Sequence, residues 1–230
     1  MTITQIQDDI VGLCQELAGE FDFTLDRIMH LINRGYYDFV RRTNCIEDRI
    51  DITSVANQVS YSVADAANIA FIYRINEIRH IESGVTENGF SLKSYPGGYV
   101  ALPEKLIYSS SPTHYWTRAM QSHETTVNVA KVIGTWPVLN SSNDTLRIHC
   151  YRFPLAELTV NTSTMEIDPA YQDAITFYVA WRVHMMYQHK NPFIQQKSND
   201  MQRAYFDLVK DFNLNASMEV NDFGEIINVY

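Results

Sequence analysis

The sequence predicts an α+β protein, in which a discontinuous α-helical bundle from both chain ends carries an inserted antiparallel β barrel or sandwich. Apolar residues recur at helical spacing near both ends, whereas the middle of the chain alternates and is rich in β-branched residues and Tyr. The acidic last stretch shows neither helical spacing nor strand-like alternation. We therefore predict a helical bundle domain over 1–48 and 160–213, a β domain over 49–159, and an extended C-terminal tail over 214–230.

Composition places the chain among ordinary globular proteins, because 46% of its 230 residues are hydrophobic and 20% are charged. Its three cysteines are widely spaced and form no C-x-x-C pair, which argues for a reducing compartment and against a disulfide framework. The first residues, MTITQIQDDIVG, show no signal peptide. A net charge of −9 argues against a surface that binds phosphates tightly, but it does not argue against a surface that DNA must pass without sticking.

Two helices are predicted before the β segment. Apolar residues at helical spacing indicate the first over 4–18, and Thr24 is placed to cap the second, over 25–42. Opposite the apolar stripe of the second helix lie three arginines seven residues apart: Arg27, Arg34 and Arg41. This row is either a solvated face or an edge that pairs with acidic residues of a neighbouring subunit.

The β segment predicts six to eight short antiparallel strands. Residues 71–81 form the longest candidate, and Asn88-Gly89 is a strong hairpin signal after it. Residues 145–153 form another strand candidate, preceded by a loop over 140–144.

The chain is organised around a central helix over 167–189. Asp168 can cap it and Pro169 suits its first position. Its middle is apolar on most sides, so most of its surface must be covered, either by its own chain alone or partly by another copy. We predict that its exposed part joins the arginine row in a subunit interface, through Phe177, Trp181 and Met185.

The last helix is predicted from Asn191-Pro192 to about Phe212. The tail after it is acidic and ends in EIINVY, which has strand propensity. Such a tail is either disordered without a role or docks on a partner. The predicted docking residues are Phe223, Ile226, Ile227, Val229 and Tyr230.

The sequence contains no phosphate-binding, dinucleotide-binding, zinc-protease or serine-hydrolase motif. His80 and Glu82 share a strand face but lack a third partner for a metal or a proton relay. We therefore predict no catalytic, cofactor or metal site, and no enzyme.

The aromatic side chains of the β segment either pack in its core or form a sugar-binding or subunit-binding face. They are Tyr95, Tyr99, Tyr108, Tyr115, Trp116 and Trp136.

The C-terminal third resembles the head-to-tail connector proteins of tailed bacteriophages, the tail adaptors or tail tubular gatekeepers. The resemblance rests on the pattern Pro169-x-Tyr171-x-Asp173-Ala174-Ile175-x-x-Tyr178, on the helix after it, and on the early helix LDRIMHLINRGYYDFVRR. The β insertion fits by position but carries no recognisable motif.

This resemblance implies a structural virion protein and not an enzyme. Members form a homo-oligomeric ring, usually a dodecamer, that joins the portal vertex to the tail and gives DNA a passage during ejection. The implied partners are other copies, the portal protein, a tail or nozzle protein, and DNA bound without sequence specificity, but no membrane. The implied location is the neck or tail of the virion, and the host cytoplasm during assembly.

The alternative from the residues is a β-rich recognition module that binds a glycan or protein through exposed Tyr and Trp. A hydrolase with scattered site residues is a third, weaker reading.

Overall fold

The computed structural model describes residues 2–62, 66, 69, 71–85, 89–95, 106–120, 130–159 and 165–221. The fold is α+β, as predicted. The chain separates into a helical unit, Met1–Cys45 with Ala156–Tyr230, and a β unit, Ile46–Leu155. That these units are separate domains with the boundaries expected from the sequence stays a prediction.

Two helices begin the helical unit. Helix α1 covers Ile3–Leu13, and Thr2 caps it: the Gln5 backbone N–H donates to Thr2 Oγ1 at 3.2 Å, and the Thr2 N–H donates back to the Gln5 side chain. Its last predicted turn is a separate 3₁₀ turn at Gln15–Leu17. Helix α2 covers Leu25–Thr43 and ends at Asn44 in the left-handed conformation.

Helix α3 is Asp173–Tyr187, and both α1 and α2 pack against it. Asp168 accepts a hydrogen bond from the Ala170 N–H at 2.8 Å, but it caps a 3₁₀ turn that precedes the α-helix. Because neighbouring helices surround α3, its own chain covers more than one ordinary stripe. The buried residues are Ala174, Ile175, Thr176, Tyr178, Val179, Ala180, Val183 and His184.

Helix α4, Pro192–Asn221, also packs against α3 and corrects the prediction for the tail. Residues 214–221 are helical, not extended, because no Gly or Pro interrupts the chain between Pro192 and Gly224. The buried side chains of α4 include Ile194, Tyr205 and Val209. The remainder of the predicted tail, 222–230, lies outside the described residues.

The β unit contains a curled six-stranded mixed sheet with the strand order β1-β8-β2-β3-β5-β6 and a separate pair, β4-β7. The strand β8 lies between β1 and β2, and its buried side chains alternate with half-buried ones. The hairpin expected at Asn88-Gly89 is present as the antiparallel pair β2–β3, although residue 88 itself lies outside the described part. The strands are Glu47–Thr53 (β1), Ile72–Ile81 (β2), Phe90–Ser94 (β3), Tyr108–Ser109 (β4), His114–Met120 (β5), Ala130–Trp136 (β6), Val138–Leu139 (β7) and Thr145–Arg152 (β8).

The prediction that all strands are antiparallel is wrong for two pairs. Strands β3 and β5 are parallel, as are β4 and β7. A parallel pair needs a crossover of about a dozen residues, and residues 95–113 and 110–137 provide that length. Turn signals in the sequence mark where strands end, but they do not reveal which strands become neighbours after a long connection.

Close contact between α2 and α3 depends on Gly35. A Cβ added there would lie 2.7 Å from Cδ1 of the buried Tyr178 ring. The absence of a side chain therefore lets the Tyr178 ring lie directly on the α2 backbone.

We expect Gly35→Ala to destabilise the protein by about 1–3 kcal/mol, because the added methyl group overpacks the contact with Tyr178. The matched control is Gly12→Ala in α1, where a Cβ meets nothing within 4 Å. That change should instead stabilise by about 0.5–1 kcal/mol, since Ala favours a helix. Urea denaturation followed by circular dichroism measures both. Equal stabilisation by the two changes would refute the tight contact.

Candidate interaction surfaces

The three predicted arginines of α2 are all exposed. Arg27 lies 4.0 Å from the Asp22 carboxylate and over the Phe21 ring at 5.2 Å. Arg34 and Arg41 form no ion pair with any acidic side chain in the part of the chain that the structure describes. Among the described residues, two of the three arginines thus have no acidic side chain within ion-pair distance.

A second surface, which we name the basic–aromatic strip, runs across three helices. It comprises Arg42 of α2, Phe206 of α4, and Trp181, Arg182 and Met185 of α3. The Arg42 guanidinium lies 5.1 Å from the Phe206 ring centroid, and the Phe206 and Trp181 centroids are 6.0 Å apart. Arg182 lies 5.6 Å from the Trp181 centroid, and its Nη1 is 3.8 Å from the Met185 sulfur. These contacts connect every member of the strip to the next.

A hydrogen-bond cluster around Asp38 fixes one end of the strip. Arg42 Nε donates to Asp38 Oδ2 at 2.6 Å, and the Tyr205 hydroxyl donates to the same oxygen at 2.7 Å. Burial, and then the neighbouring Asp38 carboxylate, raise the pKa of Tyr205, so this hydroxyl remains a donor. The hydrogen bond to Asp38 also raises the pKa of Arg42. The guanidinium consequently stays charged and held beside Phe206.

Charge around the strip differs from that of the unit that carries it. Burial raises the pKa of Tyr178 and the Asp38 carboxylate adds to this, while Arg182, Arg34 and Arg42 oppose it. Three cations and one anion thus surround Tyr178. Over its whole sequence, the helical unit contains seventeen acidic and nine basic residues. The strip is a locally cationic surface on an acidic unit.

The predicted interface residues of α3 divide between two environments. Trp181 is half-buried and Met185 is 39% exposed, and both belong to the strip. Phe177 is half-buried but belongs to no contact that defines the strip. Sequence reasoning missed Arg42, Arg182 and Phe206, although Arg182 directly follows Trp181. The predicted docking residues Phe223, Ile226, Ile227, Val229 and Tyr230 lie outside the described residues.

The aromatic face expected for a recognition module is not formed by the tryptophans of the β unit. Trp116 and Trp136 are only 3% and 9% exposed and pack with Val132. Tyr95 and Tyr115 are half-buried, whereas Tyr108 is 47% exposed. Tyr99 lies outside the described residues. The reading that required exposed Trp in this unit is therefore wrong for both tryptophans, because the sheet buries them.

Comparison with known families decides between the remaining interpretations. A family model of the SU10 adaptor protein matches residues 1–220. The chain belongs to the SU10 adaptor protein family. This confirms the resemblance to phage head–tail connectors, since the family is one of bacteriophage structural adaptors that belong to the virion. A search of curated proteins found no match.

Among the described residues, no helix of the adaptor combines the length and the apolar character that crossing a membrane requires. Within the same described ranges, no three side chains of His, Cys, Asp or Glu come together as a metal site needs.

His80 of the adaptor pairs with Asp144 rather than with Glu82. Its Nε2 lies 3.0 Å from Asp144 Oδ2, and both residues are buried. Asp144 also accepts hydrogen bonds from the Ser83 N–H at 2.9 Å and from the Ser141 hydroxyl. Burial acts to raise the pKa of Asp144, but the hydrogen bonds from Ser141, Ser83 and His80 outweigh it and the pKa is lowered. This closed set of hydrogen bonds anchors the loop before β8.

A second buried histidine joins the region after α1 to α3. His184 Nδ1 lies 2.7 Å from the Ala180 carbonyl oxygen, and Nε2 lies 2.8 Å from the Glu16 carboxylate. Burial acts to raise the pKa of Glu16, yet hydrogen bonds from the backbone and His184 lower it. Burial and the Glu16 charge raise the pKa of the adjacent Cys14 to about 12, so this thiol stays protonated. The cluster stabilises the fold and offers no nucleophile.

We expect Asp144→Asn to cost about 3 kcal/mol of unfolding free energy near neutral pH, because it leaves buried His80 without its carboxylate. The Asp144 pKa is depressed below its ordinary 3.8, so the carboxylate contributes fully above that pH. The contribution of the carboxylate disappears as the pH falls through the lowered pKa. The difference in unfolding free energy between the parent and the Asp144→Asn variant should therefore shrink at low pH. Urea denaturation at a series of pH values measures this difference.

The control for this experiment is Asp51→Asn. Asp51 pairs bidentately with Arg147 at 2.9 and 3.0 Å, but its side chain is 37% exposed. A pair on the surface contributes at most about 1 kcal/mol. Equal losses from the two substitutions would contradict the assignment of a buried, stabilising pair to His80 and Asp144.

Proposed function

We propose that this adaptor assembles into a closed ring that joins the portal vertex to the tail and forms part of the DNA passage. The observation that carries the proposal is the pair of surfaces on the helical unit, the arginine row and the basic–aromatic strip. The row presents exposed guanidinium groups, and the strip presents cations beside half-buried aromatic side chains. Arginine and aromatic residues are enriched where protein partners bind.

A ring requires a heterologous interface, in which one patch of a subunit contacts a different patch of the next. Arg34 and Arg41 supply one half of such an interface. The acidic excess of the helical unit supplies its complement on the neighbouring copy. Trp181, Met185 and Phe177 contribute apolar area, and Arg27 stands at the edge of the row. A dodecamer is the form that the family resemblance implies.

The charge of the adaptor supports a passage through which DNA moves without binding. Its net charge is −9, and most of the acidic excess belongs to the helical unit. Like charges repel phosphates, so DNA in the ring meets little adhesion. The portal protein above and a tail or nozzle protein below are the proposed partners. The proposed sites are the virion neck and, during assembly, the host cytoplasm.

We expect rings of many copies when the adaptor is examined alone or with its portal complex. Sedimentation over a wide concentration range gives the mass, and electron microscopy of the same samples gives the shape. Since a portal can act as a template, both conditions are required. An adaptor that stays monomeric alone and also fails to bind the portal would overturn the proposal.

Reversing charge in the arginine row tests the subunit contact. Arg34→Glu combined with Arg41→Glu should weaken ring formation at least ~10-fold in the concentration required, because each change replaces attraction with repulsion. The matched control is Lys93→Glu, an exposed cation on β3 of the other unit. Circular dichroism confirms that each variant is folded. If the double variant assembles like the control, the row is a solvated face.

A further inference from the structure

We infer that the basic–aromatic strip of one copy binds the C-terminal segment 222–230 of a neighbouring copy. The inference rests on the proposed function, because the ring supplies the neighbour. It assigns an occupant to a surface that is cationic, aromatic and partly open. It also gives a role to segment 222–230, whose acidic and apolar residues complement that surface.

The strip offers two fixed guanidinium groups beside aromatic rings. The Arg42 side chain is 44% exposed although Asp38 holds it, and Met185 is 39% exposed at the other end. Trp181 and Phe206 are half-buried between them. A ligand on this surface must bring carboxylates for Arg42 and Arg182 and apolar side chains for the rings.

Segment 222–230, DFGEIINVY, has that composition. It contains Asp222 and Glu225 and no Lys or Arg. Its apolar side chains flank the second carboxylate at close spacing, so one short stretch can place both kinds of group along a strip. The apolar members are Phe223, Ile226, Ile227, Val229 and Tyr230.

Chain length favours a neighbour over the same copy. Helix α4 continues from Phe206 to Asn221, which places the helix end about 22 Å from Phe206 at 1.5 Å per residue. From Asn221, Ile226 is five residues away and reaches at most about 18 Å when fully extended. Phe223 and Ile226 therefore fall short of Phe206 of their own chain, and within one copy only the last residues of the segment span that distance. A second copy has no such restriction.

The binding test adds a synthetic peptide, DFGEIINVY, to the full-length adaptor and follows tryptophan fluorescence. Trp116 and Trp136 are buried in the β unit, so Trp181 is the tryptophan that contact at the strip perturbs. We expect a saturable change that Trp181→Phe removes. Arg182→Gln should weaken binding at least ~10-fold, because charge-assisted hydrogen bonds are worth about 1.5 kcal/mol or more.

The matched control is Arg49→Gln, an exposed arginine on β1, which should bind the peptide like the parent. A second control is a peptide in which Glu225→Gln and Ile226→Ser remove one group of each kind. Absence of saturable binding up to about 1 mM, or equal affinity in the Arg182→Gln adaptor, overturns the inference. If the portal protein perturbs Trp181 through Arg182 while the peptide does nothing, the strip is a portal surface and the inference is wrong.

Disulfide trapping separates neighbouring copies from the same copy. Two single variants that leave the binding groups in place, Met186→Cys beside the strip and Asn228→Cys in the segment, are mixed, assembled and oxidised, and we expect disulfide-linked pairs of chains. Natural Cys14 and Cys150 are buried, and either variant alone measures the background from Cys45. A chain carrying both substitutions that forms only an internal disulfide would overturn binding to a neighbour.

The inference and the proposed function fail in different ways. Rings that form normally from a chain truncated after Asn221, together with a peptide that does not bind, remove the inference alone. Arg182-dependent peptide binding without any ring, alone or on the portal, supports the inference and removes the proposed function.

Discussion

Burial of α3 by neighbouring helices is the constraint on which the helical unit depends. Its sequence has too few polar residues for a helix with one exposed half, so neighbours must approach it closely. Gly35 permits this approach on the α2 side by leaving room for the Tyr178 ring. Once Tyr178 and the small residues are covered, Trp181, Arg182 and Met185 remain at the rim. The basic–aromatic strip thus arises where the packing of α3 stops.

The charged groups of the adaptor form two sets, buried pairs in the interior and exposed groups at the surface. In the interior, His80 with Asp144 and His184 with Glu16 fix segments that are distant in sequence. At the surface, a cationic strip stands on an acidic unit. The adaptor thus separates the two signs of charge, since Arg42 and Arg182 lie beside aromatic rings on a unit with an acidic excess.

How much the sequence predicted depended on whether the signal was local. Helical periodicity predicted all four helices, since each buries a face whose residues are close in sequence. The hairpin before β3 was also local. The parallel pairs and the burial of Trp116 and Trp136 were not, because they depend on strands that meet after long connections. The sequence did not predict the helical turns from residue 214 to Asn221, because this stretch is polar and only weakly periodic. It nevertheless contains no Gly or Pro that would end a helix.

The candidate surface was predicted in part for the same reason. Trp181 and Met185 were found because an unusually apolar helix signals its own exposed rim. Arg42 and Phe206 were not, because they reach the strip from two other helices through side chains distant in sequence. Only the packed structure shows that their stacked guanidinium and ring continue the surface of α3.

The order of the elements has a consequence for synthesis on the ribosome. Helices α1 and α2 leave the exit tunnel long before α3, which provides most of their packing surface. In the same way β1 must wait for β8, its partner in the sheet, while the intervening strands are translated. Contacts between such distant segments slow folding and leave apolar surface open in the nascent chain. A host chaperone therefore has its longest opportunity to bind the N-terminal helices, and maturation is completed only when the last third of the protein has emerged.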